Sequence, residues 1–239
     1  MNAPVRLGQG FYTLNEAAHY IEWADATRIR GWLMGWNNSN QPPLLKRDYP
    51  VLENRKQELS FLDLMEVRFV EYFRHHGVKT RALRYIAEKA REDYRTDKPF
   101  ASKKLSFVTD GKNVFVEKIA KPAARKFEDK ELWNLLTRQH EMPSIIEGVL
   151  LPGVRFDPET LLASEWAPRA DYPLITIDPH RAYGQPATKS GVPAEALYDA
   201  WKAEKGNLDE VAYWFEVPLM EVDQAVRFHL DVWELKEAA

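Results

Sequence analysis

The spacing of apolar residues near the start of the chain predicts two short helices separated by a tight break. Between residues 11 and 36, apolar side chains recur twice at the i, i+3, i+4 and i+7 positions of one helical face. The first run is Leu14, Ala17, Ala18 and Ile21, and the second is Ile29, Trp32, Leu33 and Trp36.

Capping residues mark where both helices begin. Thr13 and Glu16 have the spacing of a capping box, and Asp25 stands where its carboxylate can cap the second helix. Two capped helices about one turn apart are typical of a helix-turn-helix, which presents its second helix to the major groove of DNA. The same pattern also fits a helical hairpin in a protein core.

The segment after Trp36 is rich in asparagine, proline and charged residues. A small β-hairpin wing and a plain loop both fit it, with Lys46 and Arg47 near the tip or flanks. Ser60 and Asp63 then predict the start of a longer helix, which should end at the His75-His76-Gly77 sequence. Another helix of similar strength is predicted through Tyr94, with a positively charged outer face.

The pattern changes to short strands in the middle of the chain. Residues on both sides of Asp110-Gly111 alternate as in a β-hairpin, a short helix is expected over residues 131–139, and strands are expected over 148–156 and 174–177. One possible route to a dimer is pairing of two chains through an exposed edge strand over residues 174–178. We place domain boundaries to give residues 1–98, 99–172 and 173–239.

The C-terminal part again reads as a helix, a break and another helix. A helix starts at Pro193, and Asn207 with Glu210 caps the next one, whose apolar face includes Val211 and Phe215. Val217-Pro218 interrupts the pattern before a last helix. The predicted fold class is therefore α+β, mainly α, with a helix-turn-helix pattern at each end.

Composition restricts the chemistry and the setting of the protein. There are no cysteines, which excludes disulfides and thiolate sites. No apolar run has the ~20 residues that a membrane span requires, so we expect a cytoplasmic protein with no membrane partner. No histidine, carboxylate or glycine pattern indicates catalysis, a metal site or a cofactor, and the prediction is a non-enzyme. A catalytic set assembled by the fold alone stays open as an alternative.

Charge is divided unevenly along the chain. Residues 1–150 contain 25 Lys and Arg against 20 Asp and Glu, whereas residues 151–239 contain 8 against 16. The basic N-terminal part can bind the phosphate backbone of DNA, whereas the acidic C-terminal part would be repelled by it. We therefore assign DNA contact to the N-terminal helix pair, with Thr27, Arg28 and Arg30, and oligomerisation or protein binding to the C-terminal pair.

Residues 11–94 resemble the MerR-type winged-helix family. The resemblance rests on YTLNEAAHYI, on ATRIRGWL, on a segment of wing length and on the helix pair over residues 60–90. It implies that the second helix enters the major groove with Thr27, Arg28 and Arg30. It further implies that Lys46 and Arg47 contact the DNA as part of a wing.

Residues 174–235 resemble a small prokaryotic family of predicted antitoxin components. The matching pieces are Ile175–Pro179, Gly184–Pro186, Gly191–Leu197 and Asn207–His229. Together the two resemblances imply a VapB-class antitoxin of a type II toxin–antitoxin system. Such a protein neutralises a PIN-domain ribonuclease by direct binding and represses its own operon as a homodimer.

The candidates for toxin contact are side chains of the types that dominate interface hot spots, although each also suits a protein core. An alternative function is that of a stand-alone MerR-like transcriptional regulator with a C-terminal dimerisation or effector domain. The candidate toxin-binding residues are Trp166, Arg169, Trp201 and Trp214.

Overall fold

The computed structural model describes residues 9–36, 41–49, 58–103, 119–137 and 153–234, and these residues fall into two compact units. The helical unit contains Thr13–Pro152 and Phe156–Ala163. The C-terminal unit contains Met1–Tyr12, Gly153–Arg155 and Ser164–Ala239.

Helices with a few short strands confirm the predicted α+β, mainly α class. The domain boundaries differ from those drawn from the sequence, because the described residues between 99 and 137 group with the helices before them. None of the helices in the described ranges is both long and apolar enough to cross a bilayer.

The helical unit is built from short and medium helices with little strand. The predicted hairpin around Asp110-Gly111 lies outside the described residues. In chain order the elements are β1 (Tyr12–Thr13), α1 (Leu14–Tyr20), α2 (Ala26–Met34), β2 (Glu58–Leu59), α3 (Phe61–His75), α4 (Thr80–Tyr94), a 3₁₀ helix (Pro99–Ala101), α5 (Lys121–Lys126) and α6 (Lys130–Thr137).

Local hydrogen bonds start α1 and α2 at the predicted residues. The Thr13 hydroxyl accepts a hydrogen bond from the Glu16 amide at 3.2 Å, and the Glu16 carboxylate accepts one from the Thr13 amide at 2.7 Å. The Asp25 carboxylate accepts a hydrogen bond from the Arg28 amide at 2.8 Å. Both predicted caps are confirmed, and α1 and α2 bury the apolar residues Ala17, Tyr20, Ile21, Ile29, Trp32 and Leu33.

The longer helix α3 also begins at a capping box. The Ser60 hydroxyl accepts from the Asp63 amide at 3.0 Å, and the Asp63 carboxylate accepts from the Ser60 amide at 3.2 Å. The helix ends at His75, and Gly77 follows with φ +82°, a conformation that glycine adopts without strain. The predicted start and stop of α3 are both confirmed.

A buried polar cluster connects α3 to the chain that follows α4. The side chains of Asp63 and Lys98 are 0% and 6% exposed and form an ion pair, and Asp48 lies 3.4 Å from the Lys98 ammonium. Buried charges are tolerated only when they are paired in this way. Glu66, one turn beyond Asp63, accepts hydrogen bonds from the Phe100 and Ala101 amides at 2.5 and 3.1 Å. The cluster therefore fixes the 3₁₀ helix against α3.

The C-terminal unit combines a four-stranded sheet with helices. The sheet order is β3-β4-β5-β6, with Trp166 opposite Ile177 and Ile175 opposite Thr188 in antiparallel pairs. The elements are β3 (Val154–Phe156), β4 (Ala163–Trp166), β5 (Ile175–Ile177), a 3₁₀ turn (Ala182–Gly184), β6 (Pro186–Thr188), α7 (Ala194–Ala203), α8 (Leu208–Phe215), α9 (Leu219–His229) and a π-helical turn (Leu230–Glu234).

The strand expected at residues 174–178 is not an edge strand. β5 lies between β4 and β6, so its backbone groups are paired on both sides within the chain. The expectation that two chains pair through this strand is therefore wrong.

The C-terminal helices begin where the sequence predicted. Pro193 precedes α7, and the Asn207 side chain accepts a hydrogen bond from the Glu210 amide at the start of α8. The core of this unit consists mainly of Ile175, Ile177, Leu197, Tyr198, Val211, Val222, Ala225 and Phe228.

Burial of Glu66 predicts a specific pH dependence of stability. Burial raises the pKa of Glu66 from 4.5 to about 8. The folded state then binds this proton more tightly than the unfolded state, so the stability associated with protonated Glu66 is fully present below about pH 4.5. It is lost as pH rises through about 8, by up to about 1.4 kcal/mol per pH unit within that window.

A Glu66→Gln variant removes this proton while keeping the amide contacts. We expect wild type to lose stability relative to this variant as pH rises from about 5 to about 8, in urea unfolding followed by circular dichroism. Glu88→Gln, which changes an exposed carboxylate of α4, serves as the control. Parallel stability curves for wild type and Glu66→Gln would contradict the assignment.

Candidate functional site

The first five residues of α2 contain the side chains that the sequence assigned to DNA. Thr27 is exposed, and Arg28 and Arg30 are partly exposed. The guanidinium of Arg30 makes no hydrogen bond or ion pair with the residues that the structure describes. Thr27 and Arg30 are therefore available to a ligand that approaches this side of α2.

Arg28, in contrast, is held by the protein itself. Its guanidinium lies 2.8 Å from Asp25 and 3.1 Å from Glu71, and it also donates to the Trp23 carbonyl. The Glu71 side chain is 1% exposed. It accepts a further hydrogen bond from the Trp32 indole at 2.6 Å. The first role of Arg28 is thus to neutralise a buried carboxylate and to hold α2 on α3.

The two predicted wing residues have different surroundings. Lys46 is exposed and forms an ion pair with Asp97 at 2.5 Å. Arg47 is half-buried, donates to the Glu58 carbonyl at 3.1 Å, and has its pKa lowered by burial. Residues 41–49 contain no strand, and residues 50–57 lie outside the described part of the chain. Lys46 is therefore the more accessible of the two.

An aromatic cluster that the sequence did not predict lies beside α1 and α2. Trp23, in the break between α1 and α2, is 43% exposed and stacks on His75 with ring centroids 4.0 Å apart. His76 lies edge-on to the same indole at 6.4 Å. The pattern of apolar positions gave no indication of Trp23, because this residue falls in the break with φ +59°.

The four candidate toxin-binding residues lie in different environments. Trp166 is 3% exposed and belongs to the core. The guanidinium of Arg169 lies 3.8 Å from Asp231, and the ring of Trp201, a half-buried residue, lies 5.9 Å from that of Tyr198. Trp214 is 66% exposed. Of the four, Trp214 is the most accessible to a protein partner.

Trp214 belongs to a group of exposed apolar side chains that we call the α8–α9 patch. Its members lie within eight positions, on both sides of the turn between the two helices. Phe215 was expected to be on the buried face of α8, but it is 36% exposed. The patch comprises Tyr213, Trp214, Phe215, Leu219 and Met220, which are 75%, 66%, 36%, 45% and 65% exposed.

The turn that separates α8 from α9 has a defined backbone. Glu216 adopts a left-handed conformation with φ 53°, and the Val217 amide donates to the Ala212 carbonyl at 3.1 Å. Val217 itself is 7% exposed. This arrangement is that of a helix C-cap closed by a buried residue, and it sets the direction of α9.

The surroundings of the α8–α9 patch are acidic. Residues 207–229 contain five carboxylates and one arginine. That arginine, Arg227, lies 3.0 Å from Asp223 and is neutralised by it. The exposed charges next to the apolar side chains are therefore those of Asp209 and Glu216, with Glu210 half-buried.

Comparison with solved structures identifies a fold neighbour. The chain is similar to the X-ray crystal structure of Rv2018 from Mycobacterium tuberculosis, with a TM-score of 0.67 and 21% sequence identity over 90% of this chain and 96% of that one. A likeness at this identity establishes a shared fold. No family model matches the sequence, and no curated protein matches it.

The contacts of Arg28 predict that its removal lowers stability. An Arg28→Ala substitution leaves the buried Glu71 carboxylate without its cation, which should lower the free energy of unfolding by about 1–3 kcal/mol. Thr27→Ala, on the same turn of α2 but exposed, should change it by less than about 0.5 kcal/mol. Chemical denaturation measures both values. Equal stability of the two variants would show that the Arg28–Glu71 pair does not hold α2.

Proposed function

We propose that this chain is the antitoxin of a type II toxin–antitoxin system. In this proposal it neutralises a PIN-domain ribonuclease by direct binding and represses its own operon by binding operator DNA. The observation that carries the proposal is the combination of a helix pair whose Arg30 makes no hydrogen bond or ion pair with the described residues and an acidic unit with an exposed apolar patch. A single chain with these two surfaces suits two macromolecular partners of opposite charge.

The helix-turn-helix supports the DNA-binding half of the proposal. Exposed Thr27 and accessible Arg30 lie near the beginning of α2, the part of a recognition helix that contacts base edges. Arginine can bind guanine through two hydrogen bonds, and threonine can contact either a base or a phosphate. In this account Arg28 fixes the angle of α2, and its guanidinium contacts DNA only if it exchanges an internal partner.

The α8–α9 patch supports the protein-binding half. Contiguous exposed apolar side chains with polar surroundings mark interaction surfaces, whereas single exposed apolar residues are ordinary. The helix pair formed by α8 and α9 lacks the cations that a DNA interface requires, since Arg227 is neutralised by Asp223. A protein partner fits this surface better than a nucleic acid.

A stand-alone MerR-like regulator is the second candidate function. In that case the α8–α9 patch would be the dimer interface, buried between two copies of the chain. Neutralisation of toxicity separates the two candidates. An antitoxin restores growth to cells that express the ribonuclease encoded by the adjacent reading frame, whereas a stand-alone regulator does not.

The DNA-binding half predicts that Arg30→Ala weakens operator binding. Loss of one good base contact should cost about 1–3 kcal/mol, or about 5–150-fold in affinity, in a gel shift at fixed salt on the chain's own promoter. Arg155→Ala, which removes a mostly exposed arginine of the C-terminal unit, is the matched control.

The salt dependence of binding identifies the kind of contact that Arg30 makes. A phosphate contact reduces the slope of log affinity against log salt by about one, whereas a base contact changes the preference for operator over random DNA. If Arg30→Ala and Arg155→Ala bind the operator as wild type does, α2 is not the recognition helix.

A further inference from the structure

The α8–α9 patch concentrates large exposed apolar side chains around one short turn. Tyr213 and Trp214 end α8, and Leu219 and Met220 begin α9, so four large apolar side chains border one short turn. Each is at least 45% exposed. Soluble chains seldom leave such a group in water unless another molecule covers it.

Internal contacts order part of the patch before any partner arrives. The Trp214 indole donates a hydrogen bond to the Glu210 carboxylate at 3.0 Å. The Tyr213 ring lies edge-on to the Trp214 indole, with ring centroids 5.7 Å apart. The first turn of α9 is fixed as well, because the buried Glu221 carboxylate accepts from the Ser190 amide at 3.0 Å. A surface that is ordered in advance loses little conformational entropy on binding, which favours tight association.

The acidic residues beside the α8–α9 patch indicate which kind of partner could cover it. Asp209, Glu210 and Glu216 adjoin the apolar side chains, and the residues from 151 onwards contain 16 Asp and Glu against 8 Lys and Arg. A second copy of the chain would bring this acidic border against itself, and like charges across an interface are costly. DNA and anionic lipid would be repelled for the same reason. The complementary surface is an apolar pocket bordered by lysine or arginine.

We propose that the α8–α9 patch is the docking surface for the ribonuclease, with Trp214 as its central anchor. This inference rests on the proposed antitoxin function and names the surface that performs it. A ribonuclease must attract a polyanionic substrate, so the surroundings of its active site are expected to be basic. The acidic border of the patch matches that surface in charge, and the apolar centre supplies the buried contact.

The first experiment measures the apolar contact. The full-length chain and the ribonuclease from the adjacent reading frame are purified, and their affinity is determined by titration calorimetry. Trp214→Ala should weaken binding by about 30-fold or more, as expected for a tryptophan hot spot. Tyr183→Ala removes an aromatic side chain that is 84% exposed in the same unit but outside α8 and α9, and it should leave the affinity unchanged.

The second experiment measures the acidic border. The double variant Asp209→Asn, Glu216→Gln should associate at least about tenfold more slowly at low ionic strength, with the difference shrinking as salt is added. A double variant that neutralises two exposed carboxylates at the ends of α7, Glu195→Gln in its first turn and Glu204→Gln just after its last residue, has the same net charge as the first double variant and is the matched control. Thermal unfolding of every variant verifies that the fold is retained, as expected for exposed positions.

The outcomes separate the inference from the proposed function. If wild type binds the ribonuclease and Trp214→Ala binds equally well, the docking surface lies elsewhere and the antitoxin function stands. If wild type does not bind, the antitoxin function fails, and the inference fails with it. If wild type sediments as a dimer that Trp214→Ala dissociates, the patch is an interface between two copies, and the inference is overturned.

Discussion

The packing of α2 on α3 depends on the contacts of one buried carboxylate, that of Glu71. From α3 it accepts hydrogen bonds from the Arg28 guanidinium and the Trp32 indole, two residues of α2 one turn apart. A carboxylate with 1% exposure is stable only with such partners, so the contact also fixes how α2 lies on α3. The consequence for function is that Arg30 and Thr27, rather than Arg28, form the accessible part of α2.

The two units have different surfaces, which is the basis for proposing that one binds DNA and the other binds a protein. The helical unit presents Arg30 and Lys46, whereas the C-terminal unit presents Trp214 and Met220 beside acidic residues such as Glu216. Electrostatics alone would direct a polyanion to the first surface and a basic protein to the second. Separate surfaces would allow the proposed repressor and antitoxin functions to operate at the same time.

Local features of the sequence predicted local features of the fold. The caps at Thr13 and Asp25 are confirmed, because a cap involves residues three positions apart. The spacing of apolar and polar residues could not predict contacts between distant positions. Glu71, the partner of Arg28, lies 43 positions away, and β5 lies between β4 and β6 in the sheet. Phe215 fits a helical stripe yet stays exposed, since periodicity shows which residues share a face and not what covers that face.

Hydrogen–deuterium exchange of the full chain, measured with each partner in turn, tests the separation of the two surfaces most directly. The account predicts slower exchange in residues 26–34 with operator DNA, and slower exchange in residues 208–220 with the ribonuclease. It further predicts that both effects persist when both partners are present. Slower exchange of residues 26–34 with the ribonuclease, and unchanged exchange of residues 208–220, would contradict the account.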